Sequence, residues 1–174
     1  MNEVLSLRRQ NLAEVWQAHM QAEFVHKDAD RAMATMTENP HVLCVASGTG
    51  ASGRAKVREY YARHFLPYIP PDFEVRPLSQ VLGAGYLVEE FVLRFTHSLP
   101  MDWMVPNVPV TGRRVELAAA AVIRFQGSKI AHEHIYWDQA TVLSQLGVLD
   151  HPAARAGVAS AAQLLFLAEG LGVS

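Results

Sequence analysis

The chain has 174 residues, half of them apolar and 18% charged, with a formal net charge of -2. This fits one globular domain with a real core and excludes a disordered chain. Scattered Lys and Arg without a basic stripe argue against nucleic acid as a partner, and a single cysteine, Cys44, excludes an internal disulfide.

In chain order, Met1 to Arg9 lacks a continuous apolar run, so no signal peptide is expected. No segment has the length of a membrane span, and the expected location is cytoplasmic. Leu12, Val15, Trp16, His19, Met20, Glu23 and Phe24 recur at three- and four-residue spacing and predict an amphipathic helix. A second short helix carries Met33 and Met36, and Asn39-Pro40 ends it. His41 to Ala46 reads as a short strand around an inert, buried Cys44. The Gly- and Ser-rich stretch Ser47 to Gly53 reads as a plain loop, since no GKS or GKT follows it.

Arg54 to Phe65 predicts a third helix, stopped by Pro67, Pro70 and Pro71. Strands are expected over Phe73 to Leu82, Tyr86 to His97, Arg114 to Phe125 and Ile130 to Trp137. Turns at Gly83-Ala84-Gly85 and Gln126-Gly127-Ser128 and an irregular loop from Ser98 to Thr111 join them. A short helix follows Asp138, with Gly147 placed to end it, and Ala153 to Glu169 suggests a C-terminal helix. Helices first and closely spaced strands after them predict an α+β fold with an antiparallel sheet.

Strand alternation from His132 to Asp138 puts His132, His134, Tyr136 and Asp138 on one face and Glu133, Ile135 and Trp137 on the other, unless a bulge breaks the parity. Alternating histidines are potential metal ligands, but no third ligand is evident and no cysteine-histidine zinc spacing exists, so no metal is expected. His19 and Glu23 lie four apart on the first helix, where their side chains meet. Tyr60, Phe91, Phe95, Trp103 and Tyr136 are candidate pocket walls or core residues. Asp138 reads equally well as the N-cap of the helix after it and as an acid or base whose pKa rises on burial.

The stretch VTGRRVELAAAAVIRFQGSKIAHEHIYWDQATVLSQLG resembles the C-terminal half of the SnoaL-like polyketide cyclases of the nuclear-transport-factor-2-like superfamily. The matching features are Thr111-Gly112-Arg113, the hairpin at Gly127, Tyr136-Trp137-Asp138 and Gln145-Leu146-Gly147. HMQAEFVHKDADRAMATM and SGRAKVREYYARHF are similar to the family's opening helices, so the resemblance covers roughly residues 12 to 150. One departure stands out. Thr96-His97 is followed by Ser98-Leu99 where the family often has a Thr-His-x-Gly turn, and the loop to Thr111 is longer and carries Trp103.

The resemblance implies a cone-shaped α+β barrel, a curved antiparallel sheet wrapped around the N-terminal helices, with residues 1–152 as the cone and 153–174 as its helical extension. It implies a small-molecule pocket, no cofactor, no metal and a homodimer. It assigns acid or base chemistry to Asp138 and a functional role to His97, with His134 or Tyr136 beside them. His19, Glu23, Tyr60, Phe91, Trp103 and Tyr136 are the expected substrate contacts. The expected activity is acid-base chemistry on a small hydrophobic carbonyl compound: aldol cyclisation, isomerisation or dehydration. Two alternatives stand beside it. One is an epoxide hydrolase of the limonene-epoxide-hydrolase type, although Arg94 and His97 replace its Arg-x-Asp pair. The other is a non-catalytic dimeric binding protein.

Overall fold

The computed structural model describes the backbone of residues 2–155 and 157–170 and the side chains of residues 11–155 and 157–169. The expectations for the side chains of Met1 to Arg9 and for residues 171–174 lie outside the described residues.

The chain opens with α1 (Asn2–Met20), which runs on into a π-helical turn, Gln21–Val25. Then follow α2 (Ala29–Ala34), β1 (Met36–Cys44) and β2 (Thr49–Ser52). Next is α3 (Arg54–Tyr60), with a second π-helical turn at Tyr61–Phe65 and a 3-10 turn at Leu66–Tyr68. Four long strands come next: β3 (Glu74–Gly83), β4 (Tyr86–Thr96), β5 (Arg114–Gln126) and β6 (Lys129–Trp137). The chain closes with α4 (Gln139–Gln145), a 3-10 turn at Pro152–Arg155 and α5 (Ser160–Gly170).

The strands form one sheet in the order β2-β1-β6-β5-β4-β3. Its inner face packs on α1, α2 and α3 around a single core that includes Trp16, Met33, Val57, Leu87, Leu117 and Ile123. β5 shows the cause most plainly: Val115, Leu117, Ala119, Ala121, Ile123 and Phe125 are buried at every second position. The sheet is mixed. β1 pairs with β6 in parallel and every other pair is antiparallel, so the all-antiparallel expectation is corrected at that one seam. The crossover from β1 to β6 runs through most of the domain, long enough for a parallel pairing.

The β3–β4 turn holds Ala84 and Gly85 at φ of 52° and 76°, the two positive values that a tight twisted hairpin needs. β1 reaches back to Met36, through Asn39-Pro40, where the sequence suggested helix. The helix instead ends at Thr35, and Pro40 lies where pairing with β6 is interrupted, between Met36 and His41, so its missing N–H costs no ladder bond there. Part of the expected loop at residues 47–53 is β2, which pairs with β1 from Thr49 to Ser52.

The loop after β4 closes one end of the cone. Met101, Trp103, Met104 and Val105 are buried. The Trp103 carbonyl accepts hydrogen bonds from the Ser47 and Thr49 hydroxyls at 2.8 and 2.6 Å, and the Met104 carbonyl accepts one from Gln139 at 3.0 Å. On the outer face, Ala161 and Leu165 of α5 pack on Leu78 and Val92, with Arg76 paired to Glu169 at 3.1 Å. Among the described residues, no helix is long and apolar enough to cross a membrane.

Candidate active site

The two π-helical turns and one β-bulge together build the site. A π turn inserts a residue into a helix and shifts the face it presents. In the first, Ala22 and Glu23 are both buried directly after His19, which has no exposed surface. In the second, Tyr61 and Phe65 are buried alongside Tyr60. The bulge lies in β6. Phe125 pairs with Ile130, but Arg124 pairs with His132, which leaves Ala131 as the extra residue. One inserted residue exchanges the two faces of the rest of the strand. Glu133 and Ile135 therefore point into the cone beside Val42 and Cys44, and His132 and His134 point outward.

A cavity of about 40 Å³ lies between α1, α3 and the sheet. Trp16, Phe24, Tyr60, Phe91, Trp103 and Trp137 are among its walls, and Glu23, Tyr61 and Glu133 are its polar groups. That volume holds a few waters; a dry cavity that binds a benzene-sized ligand is nearer ~150 Å³. A ring-sized ligand must therefore displace a wall.

Behind the cavity sits a buried cluster. His19 Nδ1 donates to the Thr35 hydroxyl at 2.6 Å, and that hydroxyl donates to the Ala32 carbonyl at 2.7 Å. On the other side, Tyr61 donates its hydroxyl proton to Glu133 at 3.1 Å and stands 3.1 Å from His19 Nε2. With both hydroxyl protons committed elsewhere, both ring nitrogens of His19 must donate, so the geometry requires an imidazolium. Its counter-charges are Glu23 Oε1 at 3.1 Å and Glu133 Oε2 at 3.4 Å. Burial pushes the His19 pKa down, but the two carboxylates outweigh it and bring it to about 10.

Two carboxylates share this one cation. Burial, and then repulsion from Glu133, raise the Glu23 pKa above the ordinary glutamate value, and His19 offsets only part of that. Glu23 Oε1 meets only the His19 ring, as an ion pair 3.1 Å from Nε2 without an aligned hydrogen bond. Burial and both carboxylates hold the Tyr61 hydroxyl protonated. Cys44 is pushed up to about 12, mainly by burial, and is inert as a nucleophile.

The expected site residues fall into three groups. Glu23, Tyr60, Phe91 and Trp103 line the cavity, and His19 lies directly behind it. His97 is fully buried at the end of β4, where its Nδ1 lies 3.1 Å from the Thr111 hydroxyl. It is not among the cavity walls, and burial lowers its pKa. Asp138, His134 and Tyr136 are placed away from the cavity. Asp138 is exposed at the N-terminus of α4, accepting from the Ala140 N–H at 3.0 Å and the Thr141 hydroxyl at 2.6 Å, so it is a helix cap. His134 and the exposed Tyr136 lie on the outer face because of the Ala131 bulge.

Glu133 and Tyr61 are the polar cavity groups that the sequence reading left without a role. Strand alternation alone puts Glu133 on the face opposite Asp138. No arginine or aspartate lines the cavity among the described residues, so the epoxide-opening set is not assembled there.

The SnoaL-like domain family matches residues 16–133, from the last turns of α1 to the cluster residue Glu133. The chain belongs to that family. Among solved structures, a candidate SnoaL-like polyketide cyclase from Jannaschia sp. CCS1 superposes with a TM-score of 0.67 at 14% identity, covering 82% of this chain and 96% of that one. An NTF2-like protein from Burkholderia pseudomallei K96243 gives a TM-score of 0.61 at 17% identity, covering 78% and 97%. A protein of ketosteroid isomerase-like fold from Catenulispora acidiphila DSM 44928, in complex with trimethylamine, gives 0.60 at 17% identity, covering 78% and 94%. These likenesses establish the cone fold. No curated protein matches the chain.

Proposed function

We propose that this SnoaL-like domain is a cofactor-independent enzyme that moves a proton next to the carbonyl of a small, mostly apolar compound. The observation that carries it is Glu23, a buried carboxyl with raised pKa, ion-paired to His19 at the wall of an aromatic cavity. Ionised, Glu23 takes the proton from the carbon beside the carbonyl, and the C–H electron pair passes into the enolate. Returning that proton to the same or a neighbouring carbon gives exchange or isomerisation. Tyr60, held protonated by burial, supplies the donor for the enolate oxygen. The His19 imidazolium and Glu133 fix Tyr61 and set the pKa of Glu23.

The test is deuterium incorporation beside the carbonyl of small cyclic ketones in D2O, followed by NMR. Wild type should exceed Glu23→Gln by a factor of about 10²–10⁴, the usual worth of a positioned acid or base. Equal rates for the two proteins would overturn the proposal.

A second reading is favoured by the same buried carboxylate. Trp16, Phe24 and Tyr61 around Glu23 suit a small alkylammonium ion, and the Catenulispora relative is in complex with trimethylamine. Calorimetric titration with trimethylamine should then give binding that Glu23→Gln abolishes; no heat would remove this reading. The expected homodimer belongs, on this account, to the outer sheet face, where Val81, Tyr86, Val88 and Tyr136 are exposed. Sedimentation equilibrium checks it, and a monomer at micromolar concentration would refute it.

A further inference from the structure

The Ala131 bulge that turns Glu133 inward has a second effect: it gathers histidines on the opposite face. His41 of β1 pairs directly with His132 of β6, and His134 follows two residues on. All three rings are half-buried. His41 and His132 stack at 4.8 Å, His132 and His134 at 4.2 Å, and His41 stands 5.0 Å from His134 between centroids. One ring nitrogen from each lies within 4.8 Å of the other two. The Nε2 atoms of His41 and His134 are 3.0 Å apart, and among the described residues the His132 ring makes no hydrogen bond.

We propose that His41, His132 and His134 form a transition-metal site, suited to zinc, that leaves a fourth coordination position free. Three imidazoles are a donor set that zinc, nickel and copper accept. In a tetrahedral zinc site with bonds of ~2.0–2.1 Å, ligand nitrogens stand roughly 3.3 Å apart. The His41–His134 gap is already near that value. The widest gap closes by about 1.5 Å, within reach of ring rotation on half-exposed side chains.

Arg124, the strand partner of His132, contacts the Tyr86 ring at 4.5 Å and donates to the Ala84 carbonyl at 2.9 Å. The site stands apart from the cavity, on the other side of β6, and does not depend on the proposed chemistry.

Zinc titrated into the chelator-stripped protein, in competition with a colorimetric chelator, should show one tight equivalent. His134→Ala and His41→Ala should each weaken it at least tenfold while leaving the urea midpoint within the range of a surface substitution. His132→Gln is the second check should either alanine variant misfold. Cobalt in place of zinc should give the visible absorption of a four-coordinate ion in wild type and not in the variants. Glu133→Gln, which strips the buried cluster of a carboxylate, should leave zinc binding unchanged. Absence of a tight equivalent, equal affinity in the histidine variants, or loss of zinc in Glu133→Gln instead would each overturn the site.

Discussion

The buried His19 cluster makes stability depend on pH in a direction that can be worked out. His19 has an ordinary pKa of 6.5 and about 10 in the fold. The folded state therefore holds one more proton than the unfolded chain between those values. Stability from this group is fully present below 6.5 and is lost as pH rises through 10. One extra proton gives a slope of about 1.4 kcal/mol per pH unit, and the whole window amounts to roughly 5 kcal/mol. That agrees with the ~3–5 kcal/mol cost of breaking a buried ion pair.

Glu23, also raised, adds loss of the same sign above its unfolded value. His97, His132 and His134 are lowered, act in the opposite direction, and are spent by about pH 7.5. Urea denaturation between about pH 7.5 and 9 should thus show stability falling by at least ~1.4 kcal/mol per pH unit. Ring NMR should show His19 still protonated at the lower end. A flat or rising profile, or a His19 midpoint at or below 6.5, would refute the imidazolium and the network built on it. In Glu133→Gln the window should end at a lower pH, because one of the two carboxylates that raise His19 is gone.

Three further predictions concern the scaffold. Asp138→Ala should cost about 1 kcal/mol as a lost helix cap, measured by urea denaturation, and should leave proton-exchange activity intact. Gly50→Ala should destabilise by more than ~1 kcal/mol, because φ is +146° and an added Cβ would meet the Val42 carbonyl oxygen at 2.1 Å; an unchanged midpoint would contradict the β1–β2 hairpin. Leu165→Asp should release α5 from Leu78 and Val92, seen as fast amide exchange confined to the C-terminal helix, and slow exchange there would show the helix held by something else.

The four long strands could be read in the sequence to within a residue at most ends, because β5 alternates without a break and glycine turns mark the β3–β4 and β5–β6 hairpins. His19 and Glu23 were legible as an i,i+4 pair, and Tyr60, Phe91 and Trp103 as walls. What could not be read were insertions of single residues. Ala131 carries no mark of a bulge, yet it decides whether Glu133 or His134 faces the cavity. The π turns at Gln21–Val25 and Tyr61–Phe65 likewise leave the helical pattern intact while changing which side chains meet. A pointer lay in β5, whose inner residues Ala121 and Ile123 pair with Ile135 and Glu133. Pro40 misled for a local reason: a proline ends a helix by default, but it also fits a strand where pairing is broken.

On the proposed chemistry, Glu23 moves the proton inside the cone and Glu133 acts through Tyr61 and the Glu23 pKa. The decisive measurement compares, on one ketone in D2O, the exchange rates of wild type, Glu23→Gln, Glu133→Gln, Asp138→Asn and His134→Ala. The account predicts that the two glutamate variants fall by about 10² or more while the other two keep the wild-type rate. Loss in Asp138→Asn with both glutamate variants active would contradict it.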